Sequence, residues 1–573
     1  MARVVAIGAD VFEDMRTHND FLVDKTAFIS SWWRTRDKVT LICRPRRFGK
    51  TLTLSMVERF LSNLYRRDET ERLFEGLDVA DDAAMMAHMG MVPVIFVSFA
   101  DVKRTTVDGA KRRIKHILRV AVRRHDYLRA SGAVDEDGRR FLGAVSDDMD
   151  DEVALTCLSE LCRMLHEHWG TKPVVLLDEY DTPLVEAWGY GYWDDMVSFV
   201  GGLFNSTFKT NPSLGRALIT GITRIAQESI FSDMNNPAVA TTTTSLYETD
   251  FGFTQSEVDA ALAEFGLKEH ADEVRQWYDG FTFGHVSGIY NPWSITNFLQ
   301  FREAEAYWAN TSSNALVGQV VREHPASMHE LESLIRGETI VADIDERVNF
   351  RMLYTSPSAV WSLLLATGYL RVVRVCRVAS VADVRARRIR TKRLELALTN
   401  SEVEELFQDM VEGWFDEASG GLGRFARALV EGDADVVQER LSLIALRCVS
   451  SFDSGTKASH VGGPERFWHG LVLGMATELL DEGYDVRSNM ESGLGRLDVV
   501  LVPDDPSRRG CVLEFKVAQG QGTDAMERSC ADALDQIERR RYDEAILSRG
   551  IAASHITHFG IAFHGKQVLV RRG

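Results

Sequence analysis

Two groups of residues, one near each end of the chain, have the types and spacing to handle phosphate. The first is Arg44-Pro45-Arg46-Arg47-Phe48-Gly49-Lys50-Thr51. It follows the short apolar run Val39–Ile42, so it reads as a turn from a strand into a helix. Gly49 lets backbone N–H groups approach an anion, Lys50 carries a point charge to the β- and γ-phosphates of ATP, and Thr51 offers a hydroxyl to Mg2+. Arg47 and Phe48 are counted with them as nucleotide-binding positions. The helix that begins here adds its N-terminal partial positive charge. The full loop pattern is G-x-x-x-x-G-K-[ST], and Arg44 stands where its first glycine should be.

A second segment completes this chemistry. Pro173 to Glu179 is an apolar strand that ends in two carboxylates. Asp178 is expected to hold Mg2+ through water and Glu179 to polarise the attacking water, the division of labour that hydrolysis of a γ-phosphate requires. Thr220-Gly221-Ile222-Thr223-Arg224, after another apolar run, can sense the γ-phosphate or simply cap a loop. Arg46 and Arg47 can touch phosphate or act on a neighbouring subunit's nucleotide, which admits a homo-oligomer.

The second group lies near the end of the chain: Asp498, then Glu514-Phe515-Lys516. The midpoint of 498 and 514 is 506, inside the turn-rich stretch Pro503 to Gly510. In an antiparallel hairpin the two acids then lie opposite each other. Alternation puts Glu514 and Lys516 on one face and Phe515 on the other. Paired carboxylates bind a hard cation, Mg2+ or Mn2+, through oxygen. Such a metal polarises a phosphodiester and activates water, while Lys516 orients that water or offsets charge. Glu465 is a candidate third acid, His469 a group that can reach substrate, and Gln536 with Tyr542 a support.

The elements that must position these groups follow from apolar patterning. Val39–Ile42, Val92–Phe99, Val174–Leu177 and Ala217–Thr220 are short and continuously apolar, as buried strands of a parallel sheet are, and helical stretches separate them. From about 241 to 445 the pattern is mostly helical. Thr254-x-x-Glu257 and Ser401-x-x-Glu404 read as capping boxes, and Asn291-Pro292 as a cap followed by a first-turn proline. From about 446 onward the order is αβββαβ-like. The expected division is 1–240, 241–445 and 446–573.

Composition bounds the answer. The chain has 573 residues, 45% hydrophobic and 26% charged, so it is globular and long enough for three or four domains. With 66 Lys+Arg against 84 Asp+Glu the net charge is −18, which disfavours non-specific coating of nucleic acid. Seven scattered cysteines form no C-x-x-C pair and no closed disulfide set, which favours a reducing compartment. The first residues do not read as a signal peptide, and no apolar run approaches ~18 residues. A cytoplasmic protein with no membrane partner is expected.

These stretches, taken in order, resemble bacterial AAA-ATPase-like proteins that carry a C-terminal PD-(D/E)XK nuclease-superfamily domain. The resemblance rests on Val23-Asp24-Lys25-Thr26, Arg44 to Thr51, Leu177 to Asp181, Thr220 to Arg224 and Ile230 to Asn236. It continues through Trp277 to Phe281, Tyr290 to Ser294, Thr367 to Leu370, Glu491 to Asp498 and Glu514 to Lys516. In such proteins Arg-Pro-Arg-Arg-Phe is the usual wording of the loop, so Arg44 does not weaken nucleotide binding. The resemblance implies a P-loop NTPase domain with a parallel sheet flanked by helices, a mostly helical middle region, and a restriction-endonuclease-like α/β domain. It also implies an ATP site and a nuclease fold, but carries over no substrate. Two phosphate-handling constellations in one chain give the expectation of an ATPase coupled to metal-dependent cutting of DNA or RNA. The middle-region aromatics more simply build a core than a base-stacking platform, and the basic run Arg385 to Arg393 more simply forms a solvated face than a phosphate track. The alternative is a regulatory ATPase whose C-terminal fold binds nucleic acid or protein without cutting.

Overall fold

The apolar runs near the N-terminus form one parallel sheet. Its strands are β1 (Val39–Cys43), β2 (Val94–Ser98), β3 (Val174–Asp178), β4 (Arg216–Gly221) and β5 (Ala238–Ala240), in the order β2-β3-β4-β1-β5. Each neighbouring pair is parallel. Every residue of β1 and β3 is buried, which is why these runs are apolar throughout rather than alternating. The computed structural model describes residues 2–225, 237–309, 328–335, 337–348, 350–353, 356–377, 392–407, 422–448, 472, 476, 478–488, 491–492, 495–496, 498–518, 523–564 and 567–573.

Helix α1 (Lys50–Leu61) leaves β1 and buries Leu54, Val57 and Phe60 in a core with Ile42, Val94, Leu176 and Leu218. Helices Val107–Arg123 and Asp151–Trp169 pack together beside β2. This is a P-loop-type α/β architecture.

The following region holds helices Gln255–Phe265, Ala271–Tyr278, Pro292–Phe301 and Pro357–Thr367. It also holds two small antiparallel sheets. One joins Phe253–Thr254, Val286–Tyr290 and Phe281–Phe283; the other joins Ile340–Ile344, Lys392–Leu398 and Leu370–Arg377. The 254–257 capping box forms, with Thr254 N donating to Glu257 Oε2 at 2.7 Å and Glu257 N to Thr254 Oγ1 at 3.4 Å. The 401–404 box does not: Asn400 Oδ1 accepts from Val403 N at 3.2 Å, and Ser401 Oγ turns to the carbonyl of Gln276. Asn one residue earlier is an equally good cap and satisfies the same orphan N–H groups.

By internal contacts the chain forms two units, Met1–Val320 with Ser333–Leu406, and Val321–Glu332 with Phe407–Gly573. The second contains a mixed sheet of β6 (Tyr484–Ser488), β7 (Val499–Pro503), β8 (Gly510–Val517), β9 (Ile556–His564) and β10 (Gln567–Arg572), in that order. Only β8 and β9 pair in parallel, and α2 (Thr523–Arg540) supplies the crossover such a pair needs. One face buries Val499, Leu501, Leu513 and Phe515 against Phe425 and Leu429 of helix Leu422–Glu431 and Val437 and Leu441 of helix Ala434–Cys448. The other buries Val500, Val502 and Val512 against Ile537 of α2 and Tyr542. Among the described residues no helix is long and apolar enough to cross a membrane.

Candidate functional sites

The first site gathers where the parallel strands end. Gly49 takes φ +72°, a left-handed turn that carries the chain into α1 with Lys50 as its first residue. Arg47 also takes a left-handed φ, +64°. Lys50 Nζ donates to the carbonyls of Arg44 (3.0 Å) and Pro45 (2.7 Å). Burial lowers its pKa, while Glu179, Asp178 and Asp181 oppose that shift.

Strand order sets the next contacts. Because β4 lies between β1 and β3, Thr220 stands beside the end of β3 and donates from Oγ1 to Asp178 Oδ1 at 2.6 Å. The other oxygen, Oδ2, accepts from Thr51 Oγ1 at 2.9 Å and from Ser98 Oγ at 3.4 Å. Burial raises the Asp178 pKa, and the Thr220 and Thr51 hydroxyls work against it. Glu179, at φ +50°, accepts from Thr182 Oγ1 at 3.0 Å. Asp181 is buried and holds the segment after β4: its Oδ2 accepts from Ile222 N (3.0 Å), Thr223 N (2.9 Å) and Thr223 Oγ1 (3.1 Å). The Thr220-to-Arg224 motif therefore grips two acids of the segment it follows in space.

A cavity of about 490 Å³ opens over these groups, with Lys50, Thr51, Asp178 and Glu179 on one side and Lys25 and Trp293 among its other walls. Its size suits a nucleotide-scale ligand. Hydroxyl and carboxylate oxygens at its floor are the donors Mg2+ prefers. Arg47 and Phe48 line it as well, but their side chains serve packing: the Arg47 guanidinium lies 4.1 Å from the Trp293 ring centroid, and Phe48 is buried against Phe281 and Phe283. Backbone N–H groups are what these two positions can present to an anion. Arg44 points away from the cavity altogether. Its buried guanidinium donates to the carbonyls of Cys43 (3.2 Å), Thr241 (2.7 Å), Leu246 (3.1 Å) and Tyr247 (2.9 Å).

The second site lies on the C-terminal sheet. β7 and β8 pair as Val499↔Leu513, Val500↔Val512 and Leu501↔Cys511. One step further along this register Asp498 stands opposite Glu514, as the midpoint at 506 requires. Val512, Glu514 and Lys516 share the face toward α2, and Phe515 enters the opposite core. Asp498 Oδ2 accepts from Phe515 N at 2.9 Å. Buried Glu514 accepts through Oε1 from Lys516 Nζ at 3.0 Å and from Gln536 Nε2. Gln536 Oε1 accepts from Lys516 Nζ at 2.8 Å, and its amide nitrogen donates to Tyr542 Oη at 3.2 Å. Gln536 thus locks both members of the Glu–Lys pair. Oxygen donors on facing strands fit a hard cation. Among the described residues no three His, Cys, Asp or Glu side chains gather as a metal cluster. Glu465, His469, Ile230 to Asn236, Arg385 to Thr391, Gly493, Leu494 and Leu497 lie outside the described residues.

Sequence reasoning missed Ser98 as a partner of Asp178, as well as the structural task of Arg44. Both depend on which strands and loops become neighbours. Trp293 belonged to a noted aromatic segment, and it reaches the cavity wall while Tyr278, Phe281 and Tyr290 fill cores.

The chain thus carries a P-loop-type α/β sheet with one of these sites and a C-terminal mixed sheet with the other. Family comparison agrees: residues 6–231 match the model of a predicted AAA-ATPase, and residues 463–572 match that of the PD-(D/E)XK nuclease superfamily. Among curated proteins the chain is similar to an uncharacterized protein in the vnfD 5' region of Azotobacter chroococcum mcd 1, with 26% identity over 386 residues. That match covers 66% of this chain and 66% of the relative, so the chain spans about two thirds of that protein's length. Among solved structures it is similar to the Walker-type ATPase of Pyrococcus abyssi, with a TM-score of 0.33 and 10% identity over 67% of this chain and 96% of that one.

Proposed function

We propose that this chain binds and hydrolyses ATP at the first site and cuts DNA or RNA at the second, with the nucleotide state governing the cut through the middle region. The Thr51–Asp178 hydrogen bond of 2.9 Å carries the ATPase half, because it joins the two groups expected to share one cation at the head of α1.

Thr51 and Asp178 would hold Mg2+; Asp498 and Glu514 would hold Mg2+ or Mn2+. When bound, such a cation neutralises phosphate charge and lowers the pKa of its water. Lys50 exchanges the carbonyls of Arg44 and Pro45 for phosphate oxygens. Backbone N–H groups of Arg47, Phe48 and Gly49 surround the same anion. Glu179 orients the attacking water and accepts its proton. At the second site Lys516, steadied by Gln536, orients water or offsets developing charge on the phosphodiester. The buried, unreactive environment of most cysteines suits a reducing cytoplasm; burial pushes Cys157 and Cys162 up to about 12.

The test is the purified full chain with ATP, Mg2+ and a panel of single- and double-stranded DNA and RNA. Cleavage that needs ATP, and is lost in both Asp498→Ala and Lys50→Ala, is the expected result. Cleavage unchanged by Lys50→Ala, with and without ATP, would refute coupling. ATP turnover together with nucleic-acid binding but no cutting would leave a regulatory ATPase with a binding module.

A further inference from the structure

The phosphate loop is buttressed from outside its own sheet. The Arg46 carbonyl accepts from Asn291 Nδ2 at 3.3 Å and from Trp308 Nε1 at 3.1 Å. This carbonyl immediately precedes Arg47, Phe48 and Gly49, three residues that line the cavity. Both donors lead back to one carboxylate. Glu402 Oε1 accepts from the backbone N–H of Trp308 at 2.5 Å. The Ser294 hydroxyl reaches both Glu402 oxygens, at 3.1 and 3.0 Å. Ser294 lies in the first turn of helix Pro292–Phe301, which Asn291 caps and whose Trp293 ring lies beside the Arg47 guanidinium. One side chain thus anchors both arms that hold the loop.

We infer that Glu402 is a positioning residue of the nucleotide site, holding Asn291 and Trp308 on the Arg46 carbonyl so that the loop presents its N–H groups to the phosphates. This inference rests on the ATP reading above. Glu402 is completely buried, and burial raises its pKa to about 7 against the Trp308 and Ala309 N–H groups and the Ser294 hydroxyl. The titratable groups that share its field are Glu405 on its own segment and the phenols of Tyr278 and Tyr307, whose pKa values are themselves raised, first by burial. None of these three supplies a positive charge. An ionised carboxylate accepts from all its donors at once. A protonated one gives up an acceptor position and must itself find a partner. The loop should therefore be best ordered above about pH 7.

The experiment is calorimetric titration of the full chain with ATP and Mg2+ from pH 6 to pH 8.5, comparing wild type with Glu402→Gln. The substitution keeps size and one carbonyl oxygen and removes the charge. Titration of ATP itself is common to both proteins, so the ratio of their Kd values isolates the residue. The ratio should be near one at pH 6 and rise to roughly three- to tenfold at pH 8, the scale of the net contribution of one hydrogen bond. A ratio constant across pH would overturn the inference, since a merely structural role shifts Kd uniformly. Trp308→Phe supplies the second arm. It removes the indole N–H, so the cost of Glu402→Gln should fall by about half or more in that background; strict additivity would also overturn the relay. Wild type that binds no ATP at any pH would overturn the ATP reading and this inference with it, whereas binding with a flat ratio would overturn this inference alone.

Discussion

Arg44→Gly completes the phosphate-loop pattern, yet it should damage the protein. Three of the Arg44 hydrogen bonds reach the segment after β5, at Thr241 (2.7 Å), Leu246 (3.1 Å) and Tyr247 (2.9 Å). The guanidinium also lies 4.3 Å from the Phe283 ring centroid. Burial lowers its pKa to about 10, so it is charged at neutral pH and already bears a desolvation cost. Bonds from a charged donor contribute about 1.5–3 kcal/mol each and a buried carbonyl left without its donor costs about 1–3 kcal/mol, so with the relieved desolvation set against these losses a net cost of about 3–5 kcal/mol is expected. A domain of this size should then lose roughly 5–10 °C in Tm. Scanning calorimetry of the full chain reads this directly, and ATP titration should show weaker binding. Arg44→Lys should fall between, because one ammonium cannot span the same carbonyls. An Arg44→Gly protein with unchanged Tm and equal or tighter ATP affinity would refute the reasoning.

Glu179→Gln should lower ATP turnover by at least about 100-fold with ATP affinity nearly retained; steady-state kcat and a binding titration check it, and undiminished kcat would remove Glu179 as the base. Gly221→Ala should destabilise by about 1–3 kcal/mol, because its new methyl would stand 2.6 Å from Tyr180 Cε1 and 2.8 Å from Asp181 Oδ1. The denaturation midpoint should fall, and an unshifted midpoint would mean that this corner yields easily. Glu402 also gives a pH signature in stability. Its folded pKa, about 7, lies above the unfolded value near 4.5, so folding holds the proton more tightly and wild-type stability declines as pH rises between those values. Glu402→Gln should escape that decline, gaining on wild type by an amount of order 3 kcal/mol from pH 4 to pH 8. Parallel melting curves for the two proteins across that range would contradict it.

Several of these features were legible along the chain. Gly49-Lys50-Thr51 after a buried strand, and Asp178-Glu179 at the end of another, specify local geometry through turn chemistry and apolar runs, and those elements form as read. The 498/514 pairing was also available, because an antiparallel hairpin conserves the sum of paired positions and alternates its faces. The cap at Asn400 rather than Ser401 shows the limit of such reasoning even locally: two good caps adjoin, and the surroundings choose.

Other features needed the folded chain. Strands β1 to β4 are all mainly apolar, so nothing in their patterning says that β4 lies between β1 and β3, and only that order sets Thr220 on Asp178. Helices Leu422–Glu431 and Ala434–Cys448 have apolar residues to bury but no local mark naming the C-terminal sheet as their partner. Gln536 meets Glu514 and Lys516 because α2 crosses back over the sheet, a contact between residues 22 and 20 positions apart. Arg44 most clearly divides the two kinds of information. Its position in the motif suggests a defect in a phosphate cradle, while its partners, some 200 residues away, make it a structural tie. Sequence alone determined which groups can carry the chemistry, since residue type and short spacing set turns, caps and strand faces. Tertiary structure decided which distant groups complete them, since burial and unpaired carbonyls are satisfied only when the chain closes on itself.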